Sequence, residues 1–66
     1  MQITVNGQPT ECAEGITVAQ LLAQMHIPTA GTAVARNDAL VRKAVYEETR
    51  LASGDRVEII HAVAGG

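Results

Sequence analysis

Arg56-Val57-Glu58-Ile59-Ile60-His61 runs without a linker into Ala62-Val63-Ala64-Gly65-Gly66, and this stretch decides the fold. Ile59-Ile60 puts apolar side chains on both faces of a last strand, as expected of a central one. A central last strand lies parallel to the first. The two terminal glycines are costly to order, because glycine loses more conformational freedom on folding than any other residue. Residues 1–61 therefore read as one domain and 62–66 as a flexible C-terminal segment. The group at the tip is the Gly66 α-carboxylate, whose reference pKa of about 3.5 leaves it ionised at neutral pH. A carboxylate is a poor electrophile until one oxygen becomes a leaving group. Residues without side chains suit a narrow channel in another enzyme that performs that activation. A frayed terminus is the competing reading.

The N-terminal end supplies the strand that this arrangement needs. Met1, Ile3 and Val5 alternate with Gln2, Thr4 and Asn6, a period of two that predicts a strand with one buried face. Asn6-Gly7 follows, and both residues tolerate the positive φ of a tight hairpin. The return strand is expected from Gln8 to Cys12. Pro9 has no N–H to give to a ladder, which puts this strand at an edge. Ala13-Glu14-Gly15 closes the hairpin. Thr17 reads as a helix N-cap, with Gln20 three residues on to complete a capping box and Ile16 and Leu21 at the staple positions. Val18, Leu21, Leu22 and Met25 fall at i, i+3, i+4 and i+7, one apolar stripe that must pack on a sheet. The helix is expected to end near His26, before Pro28.

After a loop carrying Pro28 and Gly31, Ala33-Val34-Ala35-Arg36 predicts a short strand, Asn37-Asp38 a turn and Leu40-Val41 a short extended return. Val45-Tyr46-Glu47-Glu48 reads as irregular or as one helical turn, and Ser53-Gly54-Asp55 as the turn into the last strand. The order is ββαββ. The first hairpin is antiparallel, and the helix crosses to the second half of the sheet in the right-handed sense. The expected fold is α+β, a β-grasp: a mixed sheet with one main helix packed on one face. The other face stays open. Ile60 on that face is a docking position rather than core.

Composition narrows the function. Sixty-six residues stand near the lower limit for folding alone, and one cysteine excludes an internal disulfide. The core must then be regular and aliphatic, in keeping with 47% hydrophobic residues, no Phe, no Trp and a single Tyr. A lone cysteine with two separated histidines makes no convincing metal site. Five basic against seven acidic residues give a formal net charge of −2, with no basic run beyond Arg42-Lys43. That argues against nucleic acid, which wants a basic stripe and stacking aromatics. No apolar stretch approaches the ~20 residues of a membrane span, and the N-terminus lacks the regions of a signal peptide. A cytoplasmic location is expected, and the free Cys12 fits a reducing compartment. Neither a carboxylate pair, a nucleophile with a base, nor a phosphate loop is present, so an enzyme acting alone is not expected.

The chain resembles the ThiS family of thiamine-biosynthesis sulfur carriers, ubiquitin-like β-grasp proteins. The resemblance covers essentially the whole chain. It is carried by Val5-Asn6-Gly7, Thr17-Val18 with Leu21-Leu22, and Ala33-Val34-Ala35-Arg36-Asn37. Leu51, Gly54-Asp55, Val57-Glu58-Ile59-Ile60 and Val63-Ala64-Gly65-Gly66 complete it. No one element is specific; their order, the length and the terminal Gly-Gly are specific together. One departure shows: the family often has Val-Pro-Arg or Val-Pro-Lys after the middle strand, whereas here Val41 is followed by Arg42-Lys43. That loosens a loop and leaves the terminal chemistry untouched.

The resemblance implies a protein co-substrate and not a catalyst. A ThiF-type, E1-like adenylyltransferase uses Mg-ATP to adenylate the Gly66 carboxylate, and AMP becomes the leaving group. Sulfur from a persulfide, supplied through cysteine-desulfurase delivery enzymes, replaces AMP to give a C-terminal thiocarboxylate. Thiazole synthase, ThiG, consumes that sulfur. No cofactor is bound by the carrier itself. Val63, Ala64 and Gly65 are the segment that enters partner active sites, and Ile60 is an expected contact with the adenylyltransferase. Two alternatives stand beside this. One is a molybdopterin synthase small-subunit-type carrier, although that family is usually longer and carries aromatics before the Gly-Gly. The other is a β-grasp interaction module with an inert terminus. Cys12 reads as a small buried hydrophobe, His61 as a surface residue, His26 as a favourable helix-end residue and Tyr46 as packing.

Overall fold

A computed structural model describes residues 1–61. Five strands form one sheet in the spatial order β2-β1-β5-β3-β4. They are β1 (Gln2–Val5), β2 (Gln8–Glu11), β3 (Thr32–Arg36), β4 (Ala39–Val41) and β5 (Arg56–His61). Among the described residues one α-helix, α1 (Val18–Gln24), joins β2 to β3, and a 3-10 turn at Lys43–Val45 follows β4. The extended return at Leu40-Val41 thus pairs as a strand of its own, antiparallel to β3. β5 lies at the centre, parallel to β1 and antiparallel to β3. β2, with Pro9, is an edge.

Both hairpins turn on two residues in the left-handed region. Asn6 and Gly7 have φ of 50° and 82°, and Asn37 and Asp38 have 50° and 71°. These signs match the right-handed twist of the strands they join, and Asn and Asp enter this region more readily than other side chains.

α1 starts where its caps place it. Thr17 Oγ1 accepts from Gln20 N at 3.1 Å, and Gln20 Oε1 accepts from Thr17 N at 3.0 Å. At the other end His26 takes φ 58°, its N–H bonds Ala23 O, and Ile27 N–H bonds Leu22 O. These two bonds are a Schellman closure, with a histidine where glycine is usual. The helix therefore stops at this point, ahead of Pro28.

The helical stripe and the inner face of the sheet make the core. Val18, Leu21 and Leu22 are completely or almost completely buried, together with Ile3 and Val5 of β1, Val34 of β3, and Val57 and Ile59 of β5. Met25 packs at the margin of this cluster. Each such side chain contributes roughly 1.5–3 kcal/mol of transfer free energy, an upper estimate for a chain with a partly compact unfolded state. Cys12 is buried in the same cluster as a small apolar group. Tyr46 packs as expected, within the core itself. It is buried, and its hydroxyl reaches Thr32 O at 3.4 Å. The 49–51 segment is stitched to the helix start by Val18 N–H to Thr49 O and Leu51 N–H to Ile16 O. Among the described residues, no helix is long and apolar enough to cross a membrane.

Candidate functional site

β5 is the last described element and precedes the predicted site residues in the chain, so the site is built outward from it. Its pattern is a strict alternation. Val57 and Ile59 face the helix and are buried, while Arg56, Glu58 and Ile60 face the open side and are exposed. Ile60 is 67% exposed. Register shows what lies beside it: Ile60 pairs with Ala33, and Ala35 pairs with both Glu58 of β5 and Leu40 of β4. Directly opposed residues of antiparallel strands share a face. The open face near the end of β5 therefore carries Ile60, Ala33, Ala35 and Leu40, with Leu40 73% exposed. This is an apolar strip on the side opposite the helix, flanked by the charged Glu58. Alternation within β5 predicts Ile60 from the sequence. Ala33, Ala35 and Leu40 become its neighbours only through register, which the sequence does not display.

The start of β5 is fixed by a buried carboxylate. Asp55 is 7% exposed. Its Oδ2 accepts from Arg36 Nε and from Ala52 N, both at 2.8 Å, and its Oδ1 accepts from Asn37 Nδ2 at 3.1 Å. Burial is the largest influence on this carboxyl and pushes it up. The Ala52 and Asn37 hydrogen bonds, then the hydrogen bond and charge of Arg36, outweigh burial and hold it below its ordinary value of 3.8. Asn37 also closes on Arg56 from both sides of a peptide unit, its N–H to Arg56 O at 2.7 Å and its Oδ1 to Arg56 N at 2.8 Å.

The far end of β5 is held by the side chains of Asn6, read from the sequence only as a turn former, and His61, read only as a surface residue. Asn6 Oδ1 accepts from Ile59 N at 2.8 Å, and Asn6 Nδ2 donates to Ile59 O at 3.2 Å. His61 pairs with Thr32, and its Nδ1 lies 3.0 Å from Thr32 Oγ1. Thr32 Oγ1 also donates to Pro28 O, so it accepts from His61 in the tautomer that carries the proton on Nδ1. His61 is exposed, as its sequence reading has it, and also contacts Thr32 on the last rung of β3 and β5. Gly66, Gly65, Ala64 and Val63, the remaining predicted site residues, lie outside the described residues. Among the described residues, no group of three or more His, Cys, Asp or Glu side chains gathers to hold a metal ion.

A five-stranded mixed sheet with one covering helix, a central last strand and an apolar open face defines a ubiquitin-like β-grasp protein. The comparisons with known proteins carry this further. The model of the ThiS family matches residues 3–66, nearly the entire chain. The chain belongs to the ThiS family. It is 36% identical over 66 residues to the sulfur carrier protein ThiS of Escherichia coli strain K12, covering all of both chains. A crystal structure of the thiamine biosynthesis protein ThiS from Geobacter metallireducens superposes with a TM-score of 0.85 at 30% identity, again over all of both chains. The chain also matches, at 33% identity over its full 66 residues, a thiazole synthase of Magnetococcus marinus. It spans 20% of that longer protein.

Proposed function

We propose that this chain is the sulfur carrier for thiazole formation in thiamine biosynthesis, with the Gly66 carboxylate as its working group. The observation that carries the reading is the end-to-end match to a sulfur carrier protein ThiS, in a fold whose central strand is β5, the last described element. The chain is a carrier and not a catalyst. Its own side chains position the terminal segment, and the bond-making belongs to partner enzymes.

The chemistry follows from the state of the terminus. An ionised carboxylate resists attack, so an oxygen must first be converted to a leaving group. A ThiF-type adenylyltransferase holding Mg-ATP supplies AMP for that purpose. The outer sulfur of a persulfide, passed on by sulfur-delivery enzymes, then displaces AMP to give an acyl persulfide, and a second thiol cleaves its S–S bond, becoming part of a disulfide and leaving a thiocarboxylate on Gly66. Val63, Ala64 and Gly65 present little side-chain bulk to such active sites. Ile60, with Ala33 opposite it and Leu40 farther across the same face on β4, is the docking strip for the adenylyltransferase, where an apolar patch exposed on the carrier alone becomes covered.

Thiazole synthase is the sulfur acceptor. Support comes from the match of the whole chain to a fifth of a thiazole synthase. A carrier-like segment within the synthase polypeptide raises the local concentration of one for the other, as expected when the two meet in a reaction. The family match favours this acceptor over a molybdopterin enzyme. Adding one alanine after Gly66 tests the proposal, because it moves the reactive carboxyl without touching the fold. Thiazole formation with the partner enzymes should be lost while thermal stability is unchanged. Undiminished thiazole formation by the extended chain would exclude Gly66 as the sulfur-bearing residue.

A further inference from the structure

We infer that Asn6 is a positioning residue that fixes where the C-terminal segment starts, a role that rests on the carrier reading above. β5 is held on its β3 side as far as the Thr32–His61 pair. On its β1 side the backbone ladder ends earlier. Thr4 N–H bonds Asp55 O and Asn6 N–H bonds Val57 O, after which the chain turns away at Asn6 and Gly7. The alternate backbone groups of β5 that face β1 belong to Asp55, Val57 and Ile59. Ile59 is the first of them that β1 has no peptide left to meet.

The Asn6 carboxamide meets it instead. Its oxygen takes the Ile59 N–H at 2.8 Å and its nitrogen gives to the Ile59 carbonyl at 3.2 Å. A carboxamide has the donor and acceptor of a peptide unit, so the side chain acts as one more rung of β1. The left-handed backbone of Asn6, at φ 50°, accompanies this arrangement. At the opposite end of β5, on the β3 side, Asn37 meets Arg56 with its main-chain N–H on Arg56 O and its side-chain Oδ1 accepting from Arg56 N. Two hairpin-turn asparagines therefore clamp the one strand that leads to Gly66. Ile59 becomes the last residue of β5 held from both sides, and Ile60 the first whose position depends on β3 alone.

Without the Asn6 side chain, Ile59 N–H loses its acceptor and the strand is free to fray back toward Val57. A partner enzyme that takes up the C-terminal segment must then order additional residues at each encounter. Fixing one residue's backbone costs about 1–2 kcal/mol, which converts to a rise of roughly five- to thirtyfold in KM for the carrier. The chemical step is unaltered, so kcat stays constant.

Asn6→Gly is the informative variant, because glycine adopts the same positive φ and removes the carboxamide, while Gly54→Ala and Asn6→Asp account for the change in backbone freedom. Asn6→Asp keeps the acceptor for Ile59 N–H and serves as partial rescue. Gly54→Ala is the control for general destabilisation, since Gly54 has φ of 85° with open space around it. Amide exchange by NMR on the carrier alone should show Ile59 at least about tenfold faster in Asn6→Gly than in Gly54→Ala at matched stability. Adenylation kinetics with a ThiF-type enzyme should show the KM rise in Asn6→Gly, a smaller one in Asn6→Asp and none in Gly54→Ala. Equal Ile59 exchange in Asn6→Gly and Gly54→Ala, or an unchanged KM, overturns the inference. Failure of the unmodified chain to be adenylated by an active enzyme overturns the carrier reading instead, and the exchange measurement still decides the role of Asn6.

Discussion

Replacing Asp55 with asparagine removes one charge and one acceptor from the turn that launches β5, and the structure sets the size of the loss. Asp55 presents three acceptor contacts to three donors: Ala52 N and Arg36 Nε on Oδ2, and Asn37 Nδ2 on Oδ1. Asparagine retains one oxygen. The cheaper orientation keeps that oxygen on Ala52 and Arg36 and sets the new NH2 group against Asn37 Nδ2, where two donors face each other. One buried donor left unsatisfied costs about 1–3 kcal/mol. Weakening the ion pair adds little, because the Arg36 side chain is 34% exposed and solvent screens it. The expected loss is about 2 kcal/mol, a shift of roughly 8–16 °C in Tm for a domain of this size. A chain of this length has only about 3–10 kcal/mol in total. Urea or thermal denaturation at neutral pH measures it.

The pH dependence separates this cause from loose packing. The folded-state carboxyl lies below its ordinary value, so its stabilisation is complete above about pH 4 and is lost as pH falls through the folded value. The stability gap between the unaltered chain and the Asp55→Asn variant should therefore narrow on acidification below about pH 4, while other carboxylates cancel in the difference. A gap below about 0.5 kcal/mol at neutral pH, or one that does not narrow in acid, would refute the assignment of Asp55 as the ionised anchor.

Three further outcomes follow from the geometry. Thr17→Ala deletes the oxygen that caps Gln20 N–H and should cost about 1 kcal/mol in urea denaturation, since a neighbouring water replaces it poorly at a buried cap. His26→Gly should raise Tm, by about 0.5–1 kcal/mol in stability, because a non-glycine residue at φ 58° is strained and glycine is not. Ile60→Asp should leave Tm within a degree or so, because the side chain is exposed, and should weaken adenylyltransferase binding tenfold or more in calorimetry. Unchanged affinity would remove Ile60 from the interface.

Much of the fold is legible in the chain because local signals and the global pattern agree. The Thr17/Gln20 capping box, the Val18/Leu21/Leu22 stripe and the two-residue turn at Asn6-Gly7 each form as the sequence reads. The parallel β1–β5 pair is legible too, through the doubly apolar Ile59-Ile60 step. β4, Ala39–Val41, is harder, since three residues carry too little periodicity to distinguish a paired strand from an extended loop. Tyr46 shows the same limit: it sits in an irregular segment, and only tertiary packing brings it under Thr32. The site divides along the same line. Ile60 is set by alternation, a property of five neighbouring residues. The Asn6–Ile59 and Thr32–His61 bonds join residues 53 and 29 positions apart, and nothing local announces them. A hairpin asparagine reads as a turn former, and its carboxamide is spare until the register shows which peptide lacks a partner.

The central claim is that Gly66 carries sulfur, and intact-protein mass tests it most directly. The chain is incubated with ATP, magnesium, a ThiF-type adenylyltransferase, cysteine and a desulfurase, and the product is mapped by fragmentation. One sulfur in place of one oxygen, located on Gly66, is the expected result. No adenylate and no thiocarboxylate, with the same enzyme active on its own carrier, would contradict the sulfur-carrier role and leave the chain as a β-grasp interaction module with an inert terminus.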